Sequence, residues 1–242
     1  MFNIFSRKIS LTETDIFNGF TDCHTHILPC VDDGVRSVEA ALEVLAYYER
    51  LGITRVLLTP HIMDNFPDNN AAYLRSEFAN FKSLYNGGIE LKLAAEYMLD
   101  SGFGEHLDSG DILTLKDNYI LVETSYVSPP INLKETFESI RSKGYFTVLA
   151  HPERYRYISN QELKSLKDGG MLFQINLLSL SGFYGKPSKD VALYLLENKM
   201  YDLIGNDTHS IAMFQNNISK IELNRKQLEI LQNIKNNNIC VE

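Results

Sequence analysis

Gly19-Phe20-Thr21-Asp22-Cys23-His24-Thr25-His26-Ile27-Leu28 and Ile53-Thr54-Arg55-Val56-Leu57-Leu58-Thr59, the second bounded by Pro60, are two strand-like runs, and the chain between them carries helical periodicity. Ser37-Val38-Glu39 opens that helix, and Val38, Ala41, Leu42, Leu45 and Ala46 hold one apolar face until Gly52 stops it. Strand, helix and strand in this order make one βαβ step, which pairs its strands in parallel through a helical crossover. Both strands end in histidine: His24 and His26 on the first, His61 just past the second.

The rhythm continues outward from that step. A helix over 70–86 ends at Gly87-Gly88 and leads to a strand over 89–95. An irregular stretch follows, then a strand over 119–122. Asn132-Leu133-Lys134-Glu135 predicts a capping box opening a helix to Lys143, with Gly144 as its stop. A strand over 145–150, a second capping box at Ser159-Asn160-Gln161-Glu162, a strand over 171–177, a helix with Pro187 in its first turn, a strand over 201–205 and a polar helix over 219–236 complete the pattern. No repeat, low-complexity tract or linker interrupts it, so residues 19–242 read as a single domain behind an N-terminal extension, 1–18. Fraying is expected for that extension, with a small docking arm as the alternative.

The 242 residues, 44% of them hydrophobic, suffice for one α/β barrel or two small domains. A net charge of −8 gives no basic footprint for nucleic acid. The three cysteines, Cys23, Cys30 and Cys240, are too few and too irregular for a disulfide framework. The start of the chain lacks the order of a signal peptide, and no apolar run reaches membrane-span length, so no membrane insertion and a cytoplasmic location are expected.

The polar residues at the strand ends choose between an open sheet and a barrel. His24, His26, His61, Glu96, Glu123, His151, Asp207 and His209 all fall at or just past such ends, and Asp32-Asp33-Gly34 follows the first. Each has an ordinary reading taken alone: a structural histidine, a cap, a turn with glycine at positive φ. A closed barrel brings strand ends from remote parts of the chain to one mouth, whereas an open sheet spreads them along a line. His24 and His26 share strand parity, so two imidazoles face one side while Cys23 is expected on the other, away from the site. Glu96 and Glu123 close apolar runs, where an unpaired carboxylate is costly and a cation is a suitable partner. Mixed imidazole and carboxylate donors without thiolate suit Mn²⁺, Fe²⁺ or Zn²⁺. Asp33, Glu96, Glu123 and Asp207 carry about −4, so the pocket accepts a phosphate only after two or three divalent ions have bound. His106, away from any strand end, reads as a surface residue.

With these residues in place the chain resembles the polymerase-and-histidinol-phosphatase (PHP) superfamily. Within it, the sequence is most similar to bacterial metal-dependent tyrosine-protein phosphatases of capsular and exopolysaccharide synthesis. The resemblance covers roughly 19–212 and rests on Asp-x-His-x-His-x-Leu-Pro-x-x-Asp-Asp-Gly at 22–34, Thr-Pro-His at 59–61, Ala-Glu-Tyr at 95–97, Val-Glu at 122–123, His-Pro-Glu-Arg-Tyr at 151–155 and Asp-x-His at 207–209. It implies a distorted seven-stranded (β/α) barrel of the TIM-like kind with the metal site at the C-terminal mouth. It implies metal ligands His24, His26, Asp33, His61, Glu96, Glu123, His151, Asp207 and His209, with Glu96 bridging. It implies catalytic roles for Arg154, His151 and Asp207, and substrate binding by Arg154 and Tyr155. The partner it implies is a phosphotyrosyl protein, the tail of a bacterial tyrosine kinase. Where several relatives carry a second arginine after Asp-x-His, this chain reads Ser210-Ile211-Ala212-Met213-Phe214-Gln215, and its next arginine is Arg225.

The expected chemistry is phosphate monoester hydrolysis by a hydroxide shared between metals about 3.5–4 Å apart. Tyr97, Tyr126, Tyr155 and Tyr157 are candidates to stack on an aromatic substrate, or are ordinary amphipathic loop residues. Three rival readings stand beside it. Cys30-x5-Arg36-Ser37 has the spacing of a cysteine phosphatase loop, although Asp32 and Asp33 inside it oppose phosphate. A small-molecule phosphatase of the histidinol-phosphatase type is the second, and a non-catalytic metal-bound regulatory partner the third.

Overall fold

The computed structural model describes residues 8–240. Its order is β1 (Ile9–Ser10), β2 (Phe20–Thr25), α1 (Val38–Leu51), β3 (Ile53–Leu58), β4 (His61–Ile62), α2 (Ala71–Leu84), β5 (Glu90–Leu93), β6 (Glu96–Met98), α3 (Phe103–Ser109), β7 (Tyr119–Glu123), α4 (Leu133–Ser142) and β8 (Phe146–Ala150). There follow α5 (Asn160–Asp168), β9 (Leu172–Asn176), α6 (Leu177–Ser181), α7 (Lys186–Glu197), β10 (Leu203–Gly205), α8 (Ile211–Ile218), β11 (Glu222–Leu223) and α9 (Arg225–Asn236).

Two parallel sheets form the centre, β2-β3-β5 and β10-β9-β8-β7-β6-β4. On one side the chain itself links them, β3 running on to β4 and β5 to β6, with Ala94 N–H donating to Leu58 O (2.8 Å) and Glu96 N–H to Pro60 O (3.1 Å) across the break. On the other side the first and last strands meet: Asp207 N–H donates to His24 O (2.8 Å) and His26 N–H to Thr208 O (3.0 Å). The sheet system is therefore curled, with its C-terminal ends gathered on one side. The strands expected over 53–59 and 89–95 form as β3 and β5, and each is followed by a short strand that was not expected, β4 and β6, the first beyond Pro60, which has no N–H to give to a ladder.

The helices cover the outer face. Ser37 Oγ accepts from Ala40 N–H to start α1, Gly52 at φ 93° ends it, and the helix buries Ala41, Val44, Leu45 and Tyr48. Full burial of a leucine such as Leu45 contributes about 1.5–3 kcal/mol. The capping box at Ser159 and Glu162 forms and starts α5. A second, smaller apolar cluster (Leu57, Ala94, Leu121, Val148, Leu203) fills the inside of the curl beneath the strand ends.

Several expectations need correction. The capping box at Asn132 does not form: its backbone is non-extended (φ −115°, ψ 38°) and its side chain makes no cap bond. The polar helix expected over 219–236 starts only at Arg225, because Asn224 and Gln227 build the capping box there and 222–223 pair with β1. Residues 9–17 do not fray. Leu11, Ile16 and Phe17 are buried and β1 pairs antiparallel with β11, while residues 1–7 of the proposed extension lie outside the described residues. The irregular stretch after β6 contains α3, and His106 sits on it half-buried against Tyr97.

Cys23 is also misplaced by simple parity. The ladder between β2 and β3 is irregular between Asp22 and Thr25, and the slip turns Cys23 into the inner cluster with Ala94 and Leu121. Those two residues lie on the strand faces of Glu96 and Glu123. Cys23 thus sits under the site, where Asn238 Nδ2 donates to its sulfur (2.9 Å), and it is absent from the donor groups above.

Candidate metal centre

The curl delivers the strand-end side chains to one point. β2 supplies His24 and His26, the turn after it Asp33, β4 His61, β6 Glu96, β7 Glu123, the residue after β8 His151, and the turn after β10 Asp207 and His209. Their donor atoms fall into groups that share members: His26, Asp33, His61 and His209; His24, Glu96 and His151; His24, His26 and Asp207; His61, Glu96 and Glu123. Glu96 reaches furthest, with Oε2 3.1 Å from His24 Nε2, 3.3 Å from His26 Nε2 and 3.1 Å from His61 Nδ1, and Oε1 3.0 Å from His151 Nε2. Asp207 Oδ1 lies 3.3 Å from His26 Nε2. Asp33, half exposed, closes the outer side at 3.4 Å from both His61 and His209.

Two observations test whether this set suits cations. His24 Nδ1 faces Gln174 Oε1 (2.9 Å) and His26 Nδ1 faces Asp32 Oδ2 (2.8 Å), so both outer nitrogens hold protons and both Nε2 lone pairs point inward. Yet those two Nε2 atoms are only 3.1 Å apart, a separation that makes sense when something between them accepts both lone pairs. Secondly, His61 Nδ1 and Glu96 Oε2 are buried without a hydrogen-bond partner although 3.1 Å from each other. Close approach without hydrogen-bond geometry fits donors aimed at a common point. The residues fit divalent cations.

Electrostatics agree. Burial alone would lower the His24 imidazole, but the carboxylates of Glu96 and Asp207 raise it from 6.5 to about 9. Burial pushes Glu96 and Asp207 up, and the surrounding imidazoles overcome it and hold both well below the usual carboxylate range. Without cations the pocket recruits protons to do their work.

The backbone is shaped for this gathering. His151 (φ 33°) and Asp207 (φ 50°) occupy left-handed conformations that non-glycine residues rarely adopt, and such strain clusters at functional sites. Gly34 does not need a positive φ, contrary to the turn reading. It is required by closeness, since a Cβ there would lie 2.1 Å from His26 O.

Arg154 lies against the cluster, with Nη1 2.7 Å from Asp207 Oδ2 and its guanidinium between the rings of Tyr126 (4.3 Å) and Tyr184 (4.1 Å). Tyr126 donates to Glu123 Oε2 (2.9 Å). Tyr155 is buried, its hydroxyl donating to Ala150 O, so it backs Tyr126 and is not an open substrate surface. Tyr97 faces the outer core, where its hydroxyl accepts from Leu113 N–H, and Tyr157 hydrogen-bonds Thr124. Arg225 is on the exposed side of α9, paired with Glu229. In the Cys30 loop the amides of Cys30, Gly34 and Val35 are spent internally, on Val35 O, Asp32 Oδ1 and His26 O, and the carboxylates of Asp32 and Asp33 face His26, His61 and His209.

Sequence reading missed Gln174, Asn176, Asp32 and Tyr184. The signal for Gln174 was present, an amide inside the apolar run Leu172-Phe173-Gln174-Ile175. Asn176 Nδ2 donates to Asp207 Oδ2 (2.9 Å), a role that depends on a partner from the next strand.

Comparison with known proteins follows the same lines. The chain is 31% identical over 196 residues to the tyrosine-protein phosphatase YwqE of Bacillus subtilis (strain 168), covering 78% of this chain and 77% of that one. It is 29% identical over 196 residues to the putative tyrosine-protein phosphatase CapC of Staphylococcus aureus, with the same coverage, and 29% identical over 203 residues to the tyrosine-protein phosphatase CpsB of Streptococcus pneumoniae, covering 78% and 83%. Among solved structures, one reported for YwqE from Bacillus subtilis and CpsB from Streptococcus pneumoniae, described as metal-dependent tyrosine phosphatases, superposes with TM-score 0.74 at 26% identity over 91% of this chain and 89% of that one. A histidinol phosphate phosphatase from Lactococcus lactis shares the fold, with TM-score 0.52 and 15% identity over 89% and 94%. The family model for capsular polysaccharide synthesis, CpsB/CapC, matches residues 20–229, and the chain belongs to that family.

Proposed function

We propose that this protein is a metal-dependent protein-tyrosine phosphatase whose substrate is a phosphotyrosyl protein, the tail of a bacterial tyrosine kinase that controls capsule synthesis. The observation that carries the reading is the meeting of Glu96, His24, His26 and Asp207 from strands at opposite ends of the chain. The relatives named as tyrosine phosphatases support the same activity.

In this reading the two sheets are one distorted seven-stranded barrel, β3 with β4 and β5 with β6 each counted once, and the chain from about residue 9 onward is its single catalytic domain. His24, His26, Asp33, His61, Glu96, Glu123, His151, Asp207 and His209 hold two or three divalent ions. The mixed imidazole and carboxylate donors suit manganese, iron or zinc, and the family resemblance favours manganese among them. The chemistry such ions supply when bound is activation of water and neutralisation of phosphate charge.

The chain's own groups do the rest. Arg154, kept rigid between Tyr126 and Tyr184, turns its planar fork to the phosphate oxygens, where charge builds as the ester bond breaks. Asp207 anchors that guanidinium, and His151 stands beside Glu96, its Nε2 3.0 Å from Oε1. A phenol leaves as a fairly stable anion, so a dedicated general acid is less necessary than for an alkyl phosphate. The aromatic walls beside the site favour an aryl phosphate over histidinol phosphate. No helix among the described residues is long and apolar enough to cross a membrane, and a cytoplasmic location is the one consistent with a kinase tail as substrate.

The test is metal analysis coupled to activity on a phosphotyrosyl peptide, before and after chelation, with histidinol phosphate assayed in parallel. Activity should vanish with the metal and return on adding Mn²⁺. Undiminished turnover after proven metal removal overturns the mechanism, and a higher kcat/KM on histidinol phosphate overturns the substrate.

A further inference from the structure

Beside the metal centre lies a cleft of about 330 Å³ lined by Tyr126, Val127, Arg154, Arg156, Tyr184 and Ser188. Two of its walls touch the centre directly, Arg154 through Asp207 and Tyr126 through Glu123. Arg156 lines the same cleft as these two.

Arg156 has no part in the chemistry above, nor any visible structural task. Tyr155, extended (φ −85°, ψ 100°) between a short 3-10 turn that ends at Arg154 and the turn that begins at Arg156, packs into the core, while Arg154 and Arg156 both line the cleft. Arg154 is sandwiched and paired. Arg156 is exposed, and among the described residues it has no carboxylate within ion-pair distance. No carboxylate lines the cleft either. In a chain of net charge −8, with Arg154 held by Asp207, Arg156 leaves one uncompensated positive charge on the cleft wall that favours an anionic group there. The outer lip is apolar: Val127 is 86% exposed and, further along the same loop, Ile131 is 99% exposed, which suits a polypeptide crossing the rim better than a small metabolite.

We propose that Arg156 is a specificity residue that binds an acidic side chain next to the phosphotyrosine, so that the preferred substrates are acidic phosphotyrosyl segments. This rests on the phosphatase reading. Arg154 receives the phosphate, and Arg156, two residues on, receives the neighbouring carboxylate at the cleft wall. The pairing is electrostatic and near the surface, so it acts on capture more than on the chemical step.

Two phosphotyrosyl peptides, one with glutamates on both sides of the phosphotyrosine and one with alanines there, provide the test on Mn²⁺-loaded enzyme. The wild type should favour the acidic peptide about three- to tenfold in kcat/KM, through KM, and the preference should shrink as salt rises. Arg156→Ala should bring the ratio close to one and Arg156→Glu should invert it, whereas Arg156→Lys should keep part of it. Metal content and kcat on p-nitrophenyl phosphate report that each variant is folded and loaded. No acidic preference in the wild type, or the same preference in Arg156→Ala, overturns the proposal while leaving the phosphatase reading intact. Failure of the loaded wild type to turn over any of these phosphate esters overturns that reading, and the proposal with it.

Discussion

A hydrogen in place of a methyl group at position 205 sets how near His24 comes to the last strand. A Cβ on Gly205 would lie 2.5 Å from His24 Cβ and 2.7 Å from Gln174 Nε2, and the first of these is too close to the backbone to swing away. Gly205→Ala must therefore displace His24 and its Gln174 partner together. Overpacking of this kind costs about 1–3 kcal/mol, and calorimetric Mn²⁺ titration should show affinity at least about tenfold weaker. Unchanged affinity would mean that His24 is not a ligand. Cys30 gives the opposite expectation. Its thiol donates to Arg36 O at the surface, so Cys30→Ser should keep kcat/KM on a phosphotyrosyl peptide within about twofold, in the range of neutral surface changes. At this scale the chemistry-bearing residues were legible because histidine and carboxylate at strand ends are conspicuous. Their supports were not, since Gln174 and His24 are far apart in sequence and only the fold makes them neighbours.

Periodicity located the long elements, α1 and the β3 strand among them, because one face of each is continuously apolar. It failed where tertiary contacts define the element. α8 begins in Ser210-Ile211-Ala212-Met213-Phe214-Gln215, a stretch notable in sequence only for a missing arginine, yet Ser210 caps it and Phe214 packs on Phe17 and Tyr48. The join between β2 and β10 was equally hidden, and Asp22 makes it. Its carboxylate is fully buried and accepts from Asn206 N–H (3.0 Å), Asn206 Nδ2 (2.7 Å) and, more weakly, His24 N–H (3.3 Å). Asp22→Ala leaves those donors buried and unpaired, which should lower stability by about 2–3 kcal/mol in urea unfolding. It should also weaken Mn²⁺ binding, because the strands carrying His24, His26, Asp207 and His209 lose their shared register. Lost stability with full metal affinity would show that the clamp holds the fold and does not position the site.

The whole molecule couples folding to what fills the centre. In the metal-free protein His24 has its pKa raised to about 9, against 6.5 for a free imidazole, and His26 and His61 shift in the same direction. A raised pKa means that the folded state binds the proton more tightly than the unfolded one. Its stabilisation is complete below about pH 6.5 and drains away as pH rises towards 9, on the order of 3 kcal/mol for His24. Asp22, pushed up to about 6 by burial, titrates below that window and does not offset it. The metal-free protein should therefore lose roughly 5–10 °C of Tm between pH 6.5 and 9. Metal binding inverts the dependence, since cations displace the same protons and bind better as pH rises. At a free Mn²⁺ concentration about a hundredfold above Kd the gain is about 2.7 kcal/mol, so the difference in Tm between loaded and metal-free protein should widen from pH 6.5 to 9. Calorimetric scans on both forms across that range check it, and parallel Tm curves would show that protons and cations do not compete for these side chains.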